Sequence, residues 1–207
     1  MAIKPSELLQ VLISRTQFTD DDKKVLQQSA DWGGSIAAEM SDAFYGYLDR
    51  DAEMAAVIAK HNRQRLGQTF ADWFKEMFTG MDNWGPQYAD RRWKIGIVHV
   101  RVGMGPQHVV PAMATVVQEV SRQLAKEGKP EQLRTSLSKV CMIDLSFIEQ
   151  AYLEVAYNAV QQETGMSEAL FKRLIATGAN SLQPVKDSRG TIAALSKPTS
   201  EGGWIDQ

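Results

Sequence analysis

The sequence predicts an all-α fold. Apolar residues recur at helical spacing in segment after segment, and no stretch of any length shows the period of two that marks a strand. Glycine and proline fall mostly between these segments. With 207 residues the chain has room for one domain plus an extension, or for two small domains.

Leu8, Leu9, Leu12 and Ile13 place a short amphipathic helix after Pro5-Ser6. A second helix is expected to begin at Thr19-Asp20-Asp21-Asp22. Threonine caps, Asp22 stands at the capping-box offset, and the acids suit the positive helix end. Asp31-Trp32-Gly33-Gly34 reads as a break. The next helix is expected over 35–48, with Ile36, Met40, Phe44, Tyr45 and Leu48 on one buried face. Met54, Val57 and Ile58 mark a short helix. A long one follows over about 62–79, ended by Gly80, with Leu66, Phe70, Trp73, Phe74, Met77 and Phe78 as its apolar set.

Residues 81–86 read as a loop, from which Gly85-Pro86 opens a helix ending at Arg92-Trp93-Lys94-Ile95-Gly96-Ile97-Val98-His99-Val100-Arg101-Val102. Gly103 and Gly105-Pro106 stop it and start a valine-rich helix to about Lys126, which Pro111 is expected to kink. After Gly128-Lys129-Pro130 the longest helix is expected over 131–162. Between Leu137 and Val160 about two residues in three are apolar, wider than the stripe one core requires. Burial on two sides, by its own domain and by a second copy, accounts for that width, and with the preceding helix it would form a four-helix dimer interface. Leu170, Phe171, Leu174 and Ile175 give a shorter helix, and from Pro184 the composition turns to that of a flexible tail. The expected divisions are 1–18 as an N-terminal helical extension, 19–163 as the main domain, 164–183 as a linker helix and 184–207 as the tail.

A formal charge of −2 gives no electrostatic case for nucleic acid or an anionic membrane as partner. One cysteine, Cys141, rules out an internal disulfide and a cysteine-built zinc site. The N-terminus lacks the apolar core of a signal peptide, and no run of about 18 apolar residues occurs, so a cytoplasmic protein is expected.

Three histidines are present, His61, His99 and His108, and no HExxH. Metal sites built from protein ligands alone usually need three or four donors. A haem needs less from the protein, because the porphyrin supplies four nitrogens and one neutral imidazole on a helix suffices. His99 lies in the last turn of its helix, with Ile95, Arg92 and Tyr88 four, seven and eleven residues before it and Val102 three after. Arg92 excepted, that face is apolar, and Gly96 removes bulk where a flat ring could approach the backbone. On composition alone an ordinary core histidine is the commoner reading. The far wall of such a pocket would need hydrogen-bond donors, and Tyr45 and Thr69 supply hydroxyls, with Leu66 three residues before Thr69 as an apolar gate. No GxSxG elbow, phosphate-cradling loop or paired carboxylates on an apolar face suggest another chemistry.

Together these segments resemble the globin domain of the globin-coupled sensors over about residues 20–162. The run from Ile95 to Pro106, a histidine followed by Arg, an aliphatic, Gly and then Pro, is similar to that family's proximal motif. Phe44-Tyr45 with Leu48 resembles its distal helix, and the stretch from Arg65 to Gly80 resembles the segment carrying its distal leucine and threonine. The resemblance implies a globin fold with an extra N-terminal helix, dimeric through the last two long globin helices. It implies haem b (iron protoporphyrin IX), with His99 as the proximal iron ligand and Phe44, Tyr45, Leu66, Thr69, Ile95 and Val102 around the cofactor. Tyr45 and Thr69 would donate to bound O2, the expected gas ahead of CO or NO.

Where the family often has an aromatic pair after the proximal proline, Gln107-His108-Val109 stands here, so Val109 offers no hydroxyl on that side. The expected role is a non-enzymatic gas sensor signalling through a homodimer to an output domain. The roughly 45 residues after Gln162 are too few to supply that domain. Two other functions are compatible with the residues: a haem enzyme running nitric oxide dioxygenation or peroxidase chemistry, and a haem-free dimerisation module.

Overall fold

Caps and glycine turns divide the chain into helices whose ends can be traced to particular side chains. The computed structural model describes residues 3–181, 183–186 and 192–195. Its helices are α1 (Pro5–Thr16), α2 (Asp20–Gln28), α3 (Ala30–Leu48), α4 (Ala52–Ile58), α5 (Arg63–Asn83), α6 (Pro86–Arg101), α7 (Pro106–Lys126), α8 (Glu131–Thr164) and α9 (Glu168–Ser181). The chain divides into two compact units, Ala2–Val155 and a smaller one from Ala156 onward. The first is built from helices alone, as the apolar spacing predicts, and it holds the cavity described below.

The expected capping box at α2 is present. The Thr19 hydroxyl accepts from the Asp22 N–H, and the Asp22 carboxylate accepts from the Thr19 N–H. Asp22 also takes the Ser136 hydroxyl at 2.7 Å and the Lys139 ammonium at 2.8 Å, tying α2 to α8. Burial pushes its carboxyl up, but Lys139, the Thr19 N–H and Ser136 outweigh that and hold it at about 2.

The break expected at Asp31-Trp32-Gly33-Gly34 does not occur, and α3 runs straight through it from Ala30. Glycine costs a helix interior up to about 1 kcal/mol relative to alanine, and here packing explains its use. A Cβ on Gly33 would lie 2.5 Å from the Phe78 ring of α5, so the bare backbone is what lets the two helices approach. α5 loses helical geometry where the sequence predicts its end, at Gly80 with φ +64, followed by Met81 and Asp82.

Asp82 then organises the start of α6. Its carboxylate accepts the N–H groups of Gly85, Gln87 and Tyr88 at 3.1, 2.9 and 3.2 Å, satisfying donors that a helix N-terminus otherwise leaves unpaired. α7 carries Pro111 inside the helix and stays one element to Lys126. α8 buries Leu137, Val140, Cys141, Phe147 and Ala151 in the core of the first unit, and leaves Met142 40% and Leu153 62% exposed.

In the second unit Tyr157 and Phe171 pack ring to ring at 5.1 Å. The segment read as a tail contains two short antiparallel strands, β1 (Gln183–Lys186) and β2 (Ile192–Leu195), with Val185 opposite Ala193. Neither Gln-Pro-Val-Lys nor Ile-Ala-Ala-Leu alternates strictly between apolar and polar, so no period-of-two pattern registers in sequence. The remainder of 184–207 lies outside the described residues. Among the described residues no helix is long and apolar enough to cross a membrane.

Candidate functional site

The site begins with the last turn of α6. His99 Nδ1 lies 2.9 Å from the Ile95 carbonyl, one turn earlier. A carbonyl oxygen only accepts, so Nδ1 carries the proton and Nε2 keeps its lone pair free for a metal. Burial lowers the His99 pKa from its ordinary value, against a smaller opposing contribution from the Ile95 carbonyl. The ring is therefore a neutral imidazole at physiological pH, the form that binds a metal.

His99 lines a cavity of about 180 Å³ whose walls come from α3, α5, α6, α7 and α8. Phe44 and Tyr45 of α3 and Thr69, Phe70 and Trp73 of α5 form one side. Ile95, Val109, Ala112, Met113, Val116 and Ile148 make the rest largely hydrocarbon. On the aromatic side Phe44 stacks on Phe70 at 4.7 Å, and Trp73 meets Phe70 edge to face at 5.2 Å.

Of the residues singled out from sequence, Phe44, Tyr45, Thr69, Ile95 and His99 come together around this cavity. Leu66 and Val102 are half-buried and lie outside the lining. Tyr45 is buried, with the Arg63 guanidinium 4.3 Å above its ring. Burial raises its phenol to about 12, so the hydroxyl stays a donor at neutral pH. Thr69 reaches the cavity from an exposed position, and its hydroxyl donates to the Arg65 carbonyl at 2.9 Å. That bond must be given up before the hydroxyl can serve a ligand.

Gly96 is not where a flat ring meets α6. A Cβ there would lie 2.9 Å from both the Ala151 Cβ and the Phe147 carbonyl, so its bare backbone admits α8 instead. His61 is exposed, and His108 Nε2 lies 3.5 Å from Glu53; neither lines the cavity. No group of three or more His, Cys, Asp or Glu among the described residues could hold a metal ion without help.

Sequence reasoning passed over the polar part of the cavity wall. Arg92 and Asp144, both buried, pair through Nε and Oδ2 at 2.9 Å, and both line the cavity. Tyr88 and Trp73 also donate to Asp144, at 2.6 and 2.8 Å, while Arg92 reaches Glu76 through Nη1. Burial pushes the Asp144 carboxyl up; Arg92, Tyr88 and Trp73 pull it back. With two neutral donors and a guanidinium on its oxygens, the geometry is that of a carboxylate. A signal for this was present. Arg92 was the exception on the His99 face, and Asp144 is the one charged residue between Val140 and Ile148.

The protoglobin family model matches residues 6–157. The chain belongs to the protoglobin family. The match spans the whole cavity and includes α1. Among solved structures, the globin domain of a Geobacter sulfurreducens globin-coupled sensor superposes with a TM-score of 0.63 at 29% identity, covering 69% of this chain and 96% of that one. No curated protein matches. Family and structural likeness together make residues 6–157 a globin domain of the globin-coupled sensor kind.

Proposed function

We propose that this globin holds haem b through His99 and senses a diatomic gas, O2 ahead of CO or NO. The observation carrying the proposal is the imidazole itself. It is neutral, with Nδ1 committed to Ile95, on the wall of an apolar cavity that has Tyr45 in its lining. Haem would supply a ferrous iron able to take the gas.

The protein's own residues do the rest. The Ile95 carbonyl fixes the His99 tautomer and ring plane, as partners outside the metal's coordination commonly do. Ile95, Val109, Met113 and Val116 exclude water from the macrocycle's place. The Tyr45 hydroxyl would be the donor toward a bound gas, and Thr69 would join it only by releasing the Arg65 carbonyl. The cavity is smaller than the roughly 300–1,000 Å³ of a ligand pocket, so seating a tetrapyrrole would require side chains of the Phe44, Phe70 and Trp73 wall to move.

Signalling is proposed to run through a cytoplasmic homodimer formed by α7 and α8 to an output module. The exposed Met142 and Leu153 of α8 and Val110 of α7 support an apolar face for a second copy. With a family of sensor globins behind it, a non-enzymatic role is preferred to dioxygenase or peroxidase chemistry.

A visible spectrum after haem reconstitution tests the reading. A Soret band is expected, abolished or altered in its ferrous form by His99→Ala. A chain that takes no haem, or a His99→Ala protein with unchanged ferrous spectra, refutes it. Sedimentation at tens of micromolar tests the dimer, which a monomer mass would refute.

A further inference from the structure

The carbonyl of His99 stands in the last turn of α6, among those that no N–H four residues on within the helix can satisfy. It accepts two bonds. One comes from the Met104 N–H at 2.9 Å, closing the helix end, and the other from the Tyr152 hydroxyl of α8 at 3.2 Å. Three residues before His99, a Cβ on Gly96 would lie 2.9 Å from both the Phe147 carbonyl oxygen and the Ala151 methyl of α8, so the bare glycine marks a close approach of the two helices. The turn carrying the imidazole is thus held to α8 at two points, one steric and one a hydrogen bond. The second is attached to the histidine's own peptide group.

We propose that Tyr152 is a positioning residue for the histidine ligand, its hydroxyl fixing the His99 peptide on α8 and thereby the pose of the imidazole. The inference rests on the haem reading above. The ring is set from within α6 by the Ile95 carbonyl, and the backbone from which it hangs is set from α8 by Tyr152. A hydroxyl acting only as a helix-end cap would have the same geometry but would leave a bond between iron and imidazole untouched.

The iron–histidine stretching band of the ferrous, haem-loaded protein separates the two. Tyr152→Phe keeps the ring and removes the hydroxyl; the band is expected to broaden and move. Replacing Tyr152 by a ring-fluorinated tyrosine, a stronger donor, is expected to move it the other way without loss of packing. Opposite displacements support the inference. A band unchanged in both variants overturns it while leaving the haem assignment intact. A wild-type chain that takes no haem overturns both together.

Discussion

Arg92 of α6 and Asp144 of α8 form an ion pair at 2.9 Å with side-chain exposures of 1% and 2%. Breaking a buried pair from one side leaves the other charge uncompensated, at about 3–5 kcal/mol. Arg92→Met is expected to cost in that range by chemical denaturation. Arg92→Met with Asp144→Leu is expected to recover much of the loss, since a well-packed apolar pair often matches an ionic one. A double variant as unstable as Arg92→Met would show that Tyr88, Trp73 and Glu76 depend on the pair for their own geometry.

Gly96→Ala tests the close approach of α6 to α8. The new methyl meets main chain at Phe147, which cannot swing aside as a side chain can. Overpacking of this kind costs about 1–3 kcal/mol. The loss is read from the urea midpoint, and an unchanged midpoint would mean that the helices separate freely.

Tyr45→Phe is expected to speed O2 dissociation up to about tenfold, from the loss of one hydrogen bond of about 1 kcal/mol. Stopped-flow displacement by CO measures it. Equal rates would take the Tyr45 hydroxyl out of contact with the gas.

Thr69→Val is expected to have a smaller effect than Tyr45→Phe in the same assay. The Thr69 hydroxyl already serves Arg65, so its donation to a ligand is offset by the bond it gives up. An effect larger than that of Tyr45→Phe would reverse the ranking of the two donors.

Acid sensitivity follows from His99. Its folded pKa lies below the unfolded value of about 6.5, so the unfolded chain takes the proton first. The stability it contributes is fully present above about 6.5 and declines as pH falls below that, through the folded pKa. His99→Gln is expected to flatten this part of the stability curve in urea titrations at stepped pH. An unchanged slope would assign the acid response to other groups.

The helices were largely legible because their apolar spacing and caps are local. Thr19 with Asp22 announces α2, and Gly80 ends the regular part of α5 as expected. What failed was local information with a tertiary cause. Gly33 reads as a breaker, yet it sits within α3 because the Phe78 ring occupies the space a side chain would need. Gly96 reads as room for a flat ring and is room for α8. That His99 and Tyr45 would face one cavity was legible through motif and face. Asp144 was not, because a lone acid in an apolar run reveals a buried partner only once the distant Arg92 is placed beside it.

The anchorage of α6 has a mechanical consequence. At its start three N–H groups converge on the Asp82 carboxylate; toward its end Gly96 abuts main chain and Tyr152 grips the final turn. A rod clamped at both ends cannot slide along its own axis, and what freedom remains is bowing between the clamps. A sideways displacement of α6 is therefore passed to α8, beside the exposed Leu153.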